Sequence, residues 1–134
     1  MMKSVELIKL PYYQENDSDL VVAESQGNTV PFPIARIFNV RAQKGITRGR
    51  HAHRACSQLL ICTNGTIKVT CDNGKKTSTY ILDEPNHGLL IKPGIWTKQK
   101  YIKENTVLTV LCDSLYDEKD YIRNYKDFLE YAIN

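Results

Sequence analysis

Long apolar runs are missing from this sequence, and so is any strong excess of one charge. No run approaches the ~20 apolar residues of a membrane helix. The opening M-M-K-S-V-E-L-I-K-L-P lacks the apolar centre of a signal peptide. Eighteen basic residues against fifteen acidic ones leave a net charge of +3, too little to argue for nucleic acid. The four cysteines, Cys56, Cys62, Cys71 and Cys112, include no C-x-x-C pair, which argues against a structural zinc site. Cys62 and Cys112 sit in apolar runs and read as small buried residues. A reduced, cytoplasmic compartment is the expectation. Repeats, linkers and low-complexity stretches are also missing. What remains is 134 residues, 42% hydrophobic and 25% charged, which suits one domain over 1–134 with one core.

The residues that are present alternate with period two. Strands are expected at Ser4–Leu10, Leu20–Glu24, Ile34–Val40, Ser57–Thr63, Thr66–Cys71, Lys76–Leu82, Leu89–Ile91, Ile95–Tyr101 and Thr106–Cys112. Tyr12 to Asp19 reads as a polar loop and Arg41 to Gly49 as a basic connection. Turns are marked by Gly27-Asn28, Asn64-Gly65, Asp72-Asn73-Gly74 and Pro93-Gly94. Many short strands at close spacing describe an all-β sandwich or barrel. Leu59 to Cys62 is apolar at every position. Such a strand has no wet face and asks for a second sheet or a partner subunit.

Only the tail differs. From Asp117 to Ile133 the apolar positions Tyr121, Ile122, Tyr125, Phe128, Leu129 and Ala132 follow helical spacing. Asp117 and Asp120 are candidate N-caps. The aromatic face of Tyr121, Tyr125 and Phe128 is expected to pack rather than react.

The segment with most chemistry is Gly45 to Gly65. His51 and His53 lie two apart, so on a strand both imidazoles face one side. Close imidazoles near their ordinary pKa can serve as general base and general acid. In a regular strand Arg48, Arg50 and Arg54 fall on the opposite face. His87, in a polar turn, reads as surface. The spacing Gly45-x5-His51-x-His53-x4-Gln58-x6-Gly65 resembles the first cupin motif, where the Gln58 slot usually holds a Glu. That resemblance implies a cupin-type jelly-roll barrel (a double-stranded β-helix) with a C-terminal α-helix. Gln58 is a poor ligand, and no histidine lies in Lys92 to Lys98. The expectation from these residues is therefore no metal.

Three segments narrow the resemblance: R-G-R-H-A-H-R, P-G-I-W at Pro93 to Trp96, and L-Y-D-E-K-D-Y-I-R-N-Y-K-D-F from Leu115 to Phe128. Together they are similar to the WxcM-like nucleotide-sugar 3,4-ketoisomerases. The resemblance implies a homodimer acting on a dTDP-linked 4-keto-6-deoxyhexose, without nucleic acid or membrane as partner. It implies proton transfer through an enediol, with no metal and no other cofactor, in deoxyamino-sugar biosynthesis. His53 is then expected to work at carbon and His51 between the oxygens. Gln58 is expected to orient an imidazole or bind a sugar oxygen. Glycines can break strand parity, and Arg48 matches a basic slot of the family, so Arg48 is assigned to the diphosphate, with Arg41 and Lys98 as further candidates. Trp96 is a candidate for stacking on the thymine, and Asn39 occupies a slot where the family often has a sugar-facing tyrosine. Thr97, Arg50 and Ser57 also depart from the family pattern. The rival readings are a cupin-type keto-sugar epimerase, a metal cupin, and a non-catalytic nucleotide-sugar-binding cupin.

Overall fold

The computed structural model describes residues 2–26 and 29–133; the expected turn at Gly27-Asn28 lies outside them. In chain order the strands are β1 (Val5–Lys9), β2 (Tyr12–Gln14), β3 (Asp19–Val21), β4 (Arg36–Ala42), β5 (Thr47–His53), β6 (Gln58–Asn64), β7 (Ile67–Asp72), β8 (Thr77–Leu82), β9 (His87–Ile91), β10 (Trp96–Tyr101), β11 (Thr106–Cys112) and β12 (Tyr121–Ile122), followed by helix α1 (Tyr125–Ile133). Ten of them form two five-stranded antiparallel sheets, ordered β1-β9-β6-β11-β4 and β12-β5-β10-β7-β8. This is the expected all-β jelly roll with a C-terminal helix. Among the described residues β2 and β3 pair only with each other, so the stretch expected as a polar loop is half of a hairpin.

Period-two patterning explains the inner layer. On β7, Ile67, Val69 and Cys71 are buried between the sheets while Lys68 points out. They meet Leu60, Leu89, Leu108, Val110 and Tyr101 from the other strands. Each such aliphatic side chain contributes roughly 1.5–3 kcal/mol on burial. The β6–β7 hairpin closes as expected at Asn64-Gly65. Gly65 has φ +88°, and a Cβ there would collide with the buried Thr106, so glycine is required on both counts.

The continuous apolar run in β6 has a different cause from a partner subunit. Leu60 and Cys62 face the inner core. Leu59 and Ile61 face outward into a second core with Leu10, Val30, Leu90 and Leu111, edged by Ile8, Val21, Phe32 and Ile34. Leu10, Val21, Val30, Phe32 and Ile34, all from before β4, thus cover the outside of the first sheet.

The tail is helical over half its expected length. Glu118–Asp120 is one turn of 3-10 helix, capped by Asp117, whose carboxylate accepts from the Lys119 N–H at 3.0 Å. Tyr121 and Ile122 then pair with His53 and Ala52 as an edge strand. The α-helix begins only at Tyr125, with the Asn124 side chain accepting from the Asp127 N–H. Its Phe128 packs with Ala52, Trp96 and Ile122 on the outer face of the second sheet. Among the described residues no helix is long and apolar enough to cross a membrane.

Candidate active site

The site is built on a fault in β5. Its register against β10 runs Thr97 to His51, then Lys98 to Gly49 and Gln99 to Arg48. One step on β10 spans two on β5, so Arg50 is the extra residue of a β-bulge. Gly49 and Arg50 both take positive φ, 93° and 60°. At Gly49 the φ of 93° strains any L side chain, and a Cβ would crowd the Thr97 carbonyl at 3.1 Å, so glycine is strongly favoured. The bulge turns Arg50 outward and brings Arg48 onto the face that carries His51 and His53. Simple alternation would put it on the opposite face.

The two imidazoles meet edge to face, with ring centroids 5.1 Å apart. Tyr121, delivered by β12, packs on both, at 5.1 Å from His51 and 4.4 Å from His53. Behind His53, Nδ1 lies 2.7 Å from a carboxylate oxygen of Asp120. The other Asp120 oxygen accepts the backbone N–H groups of Ala55 and Cys56, at 2.6 and 3.4 Å. The carboxylate is fixed from both sides. Against an ionised Asp120, Nδ1 carries the proton of neutral His53 and Nε2 is left as the acceptor. Two ring atoms, His51 Nδ1 and His53 Nε2, are buried without a protein partner. Among the described residues Thr29 Oγ1, Arg36 Nε and the Tyr101 hydroxyl share this state, and such atoms are candidates to meet a ligand or water.

Electrostatics divide the pair. His51 is lowered to about 4, first by burial and then by the neighbouring His53. His53 is lowered too, again by burial, while the hydrogen bond and charge of Asp120 work the other way. Burial also opposes ionisation of Asp120, but His53 and the two N–H groups outweigh it and its carboxyl is lowered. Both imidazoles are therefore neutral at pH 7.

His51 lines a cavity of about 190 Å³ inside the barrel, with Phe38, Val40, Arg48, Gln58, Leu60, Gln99, Tyr101, Tyr121 and Arg123 among its walls. One water needs only ~10–15 Å³ of such space, so the cavity has room for a small polar ligand. Arg123 is held at the rim by a two-pronged ion pair with Glu118, at 2.6 and 2.9 Å, and lies over the Tyr121 ring at 4.2 Å. Glu118 is lowered to about 2 by that pair and by the Tyr116 hydroxyl. Gln58 donates its amide N–H to the Cys112 sulfur at 3.4 Å, which turns its carbonyl oxygen free. Arg36 lies beside Cys112 and the Tyr121 hydroxyl; burial opposes its charge, and these two groups more than offset it.

Of the residues expected at the site, His51, His53, Arg48 and Gln58 come together. Four others do not. Asn39 is on the outward face of β4, where Thr109 donates to it at 2.6 Å; its neighbour Phe38 takes the inward position. Arg41 also points outward and lines a separate, open groove at the strand ends with Lys44, Asn64 and Glu104. Trp96 packs outward against Tyr125 and Phe128 of α1. Lys98 projects from the same outer face, beside Arg50 and Asp72. On β10 the inward positions are Thr97, Gln99 and Tyr101, so the even-numbered pair cannot reach the cavity. His87 is half-buried and pairs with Glu84 at 3.1 Å. The residues the sequence reading missed are Asp120, Tyr121 and Arg123. They were within sight in the D-Y-I-R run, but its helical spacing disguised a strand.

A cupin-type metal does not fit the interior side of this site. The cavity walls offer no carboxylate or thiol beside His51. Gln58 is turned to Cys112, and the position opposite His51 on β10 is Thr97. A stable site needs three or four good ligands.

Comparison with known proteins agrees with this geometry. The family model FdtA (WxcM-like, C-terminal) matches residues 3–133. The TDP-4-oxo-6-deoxy-α-D-glucose 3,4-oxoisomerase of Aneurinibacillus thermoaerophilus is 37% identical over 112 residues, 83% of this chain and 81% of that protein. The sugar 3,4-ketoisomerase QdtA of Thermoanaerobacterium thermosaccharolyticum, solved with TDP, superposes with a TM-score of 0.94 at 35% identity, over 99% of this chain and 97% of that one. A histidine-to-asparagine mutant of that enzyme, solved with TDP-4-keto-6-deoxyglucose, gives a TM-score of 0.94 at 34% identity, over 98% and 96% of the two chains.

Proposed function

The chain belongs to the FdtA family of WxcM-like proteins, and on that footing we propose that it is a sugar-nucleotide 3,4-ketoisomerase. It moves the ketone of a dTDP-linked 4-keto-6-deoxyhexose from C4 to C3. The observation that carries this reading is a neutral imidazole, His51, on the wall of the barrel cavity, in contact with a second one, His53, that is backed by Asp120.

The reaction relocates two protons and no net charge. A base removes hydrogen from C3 while O4 gains a proton, which gives an enediol. Hydrogen then returns to C4 while O3 loses its proton. One group must serve carbon and another must carry the oxygen-bound proton from O3 to O4. The geometry supports the reverse of the division implied by resemblance. His51 lines the cavity and its low pKa keeps it an unprotonated base, so it works at C3 and C4. His53 is set back, and Asp120 stabilises the imidazolium it passes through when it relays the proton between the oxygens. The Tyr121 hydroxyl, beside the Arg36 cation, hydrogen-bonds the developing enediol oxygen. Arg48, on the histidine face and exposed at the rim, takes the diphosphate. Gln58 offers its free carbonyl to a sugar hydroxyl.

Four free, buried cysteines suit a reducing cytoplasm. The homodimer belongs to the same proposal. The β2–β3 hairpin has no third strand and leaves Tyr13 and Leu20 about 60% exposed, a surface for a second copy. Sedimentation equilibrium tests it: a monomer at micromolar concentration refutes it.

The test of function is incubation with dTDP-4-keto-6-deoxyglucose in deuterated water. A 3-keto product with deuterium at C4 is expected. Deuterium at C3 or C5 with the ketone still at C4 means an epimerase, and binding without exchange means a non-catalytic module. The division of labour has its own readout. His53→Gln should still wash deuterium into C3 without isomerising, whereas His51→Gln should exchange nothing.

A further inference from the structure

Behind the catalytic face, three ligand-type side chains converge where the mechanism uses only two. His53, Cys56 and Asp120 each offer a ligand atom, and the three lie within 4.8 Å of one another; the His53 nitrogen beside the carboxylate is Nδ1. Cys56 has no part in the proton transfers. It sits in the short connection after β5, and its own backbone N–H is tied to Asp120.

We propose that His53, Cys56 and Asp120 form an inhibitory site for one divalent transition-metal ion of the Zn²⁺ class, on the Nδ1 side of His53. Imidazole, thiolate and carboxylate together select a borderline-soft ion over Mg²⁺ or Ca²⁺. Three protein ligands with a fourth position left to water match an open tetrahedral site. The ligands are preorganised, because the second Asp120 oxygen is anchored by two backbone N–H groups. Entry is from the surface, past the exposed Ala55 and the partly exposed Asp120.

Insertion draws the Cys56 sulfur, within 4.8 Å of the other two ligand atoms, in to ~3.5 Å of both and releases its contact with the Ser57 carbonyl. It spreads Nδ1 and the carboxylate oxygen from 2.7 Å to the ~3.3 Å edge of a tetrahedron with ~2.0 Å bonds. The proton on Nδ1 moves to Nε2, so the imidazole stays neutral. The Cys56 thiol releases its proton to solvent. In the metal-free protein, Cys112 and then burial hold that thiol protonated; a coordinated cation reverses the preference. The consequence for catalysis is direct. Nε2 now carries a hydrogen and cannot accept one, and the positive ion beside the ring denies it the imidazolium state. The shuttle stops although the cavity is unobstructed.

The inhibition rests on the ketoisomerase reading; the binding does not. Two measurements on the purified protein keep them apart. Titration with Co²⁺ should produce a near-ultraviolet thiolate-to-cobalt charge-transfer band at one ion per chain. Cys56→Ser and Cys56→Ala should lose that band while keeping the wild-type melting temperature within a few degrees. In the isomerase assay, micromolar Zn²⁺ should inhibit the wild type, EDTA should restore it, and Mg²⁺ should do nothing. Both variants should match the wild-type rate without metal and need at least ~10-fold more Zn²⁺ for equal inhibition. Absence of the cobalt band in the wild type, or its survival in both variants, overturns the site. Equal zinc sensitivity in wild type and variants overturns the inhibitory role. If no keto-sugar is turned over at all, the cobalt titration still decides the site by itself.

Discussion

Asp120 reaches His53 across 67 residues of sequence and holds its Nδ1 at 2.7 Å. It fixes which nitrogen carries the proton, and it supports the imidazolium that a shuttle must form and discharge. In Asp120→Asn the neutral amide still accepts from Ala55 but no longer stabilises that cation. The kcat should fall by ~10²–10⁴-fold, with KM within a few-fold of wild type. The pKa of His53 should fall further, because the group that raises it is gone. A drop in KM and kcat together with a lowered melting temperature would point to a structural role instead.

Tyr121→Phe separates the ring from its hydroxyl. The ring packs on both histidines and beneath Arg123, and phenylalanine preserves all of that. A loss of at least ~10-fold in kcat, without a change in melting temperature, is expected if the hydroxyl meets the reacting oxygen. An unchanged rate assigns Tyr121 to packing alone.

Arg48→Ala should act on binding rather than chemistry. Hydrogen bonds to charged groups are worth ~1.5–3 kcal/mol, so KM and the affinity for TDP should weaken by ~10–100-fold while kcat stays within a few-fold. Isothermal titration with TDP reads the affinity directly. Unaltered TDP binding would remove Arg48 from the site.

The depressed histidines make a prediction about pH. His51 falls from 6.5 to about 4 on folding, so between those values the unfolded chain binds more protons than the folded one. Stability is full above pH 6.5 and declines as the pH drops towards 4, by an amount on the order of 3 kcal/mol for a shift of this size. Urea unfolding between pH 7 and 4.5 measures it, and His51→Gln should flatten the slope. Activity should outlast an ordinary histidine, with the acid limb of kcat/KM falling below pH 6.5. An acid limb at or above 6.5 would contradict a neutral His51 as the base.

The bulge carries backbone strain at Arg50, with φ 60° on an exposed non-glycine residue. A left-handed conformation costs an L-residue ~1–2 kcal/mol. Arg50→Gly should raise stability by ~0.5–1 kcal/mol and leave kcat unchanged, because the side chain points away from the cavity. Arg50→Val should lower stability by at least ~1 kcal/mol. Chemical denaturation of the two variants provides the check.

Much of this protein is legible in its chain. Period-two alternation, the Asn64-Gly65 turn and the His51–His53 pair require only local geometry. The sequence therefore determines the strands, their hairpins, and two imidazoles on one face. The run from Leu115 to Phe128 was enough to suggest the substrate class. Tertiary structure decided the rest, for three physical reasons. Whether Arg48 joins the histidines depends on a register shift against β10, and register belongs to the partner strand. Tyr121 and Ile122 fit a helical stripe, but backbone pairing with the edge of β5 outweighs that weak local preference. Asp120 meets His53 only because that pairing carries the tail back to β5. Trp96 and Lys98 occupy the positions of β10 whose side chains leave the barrel. Alternation separates a strand's two faces, but only the packing of the sheets decides which one encloses the cavity.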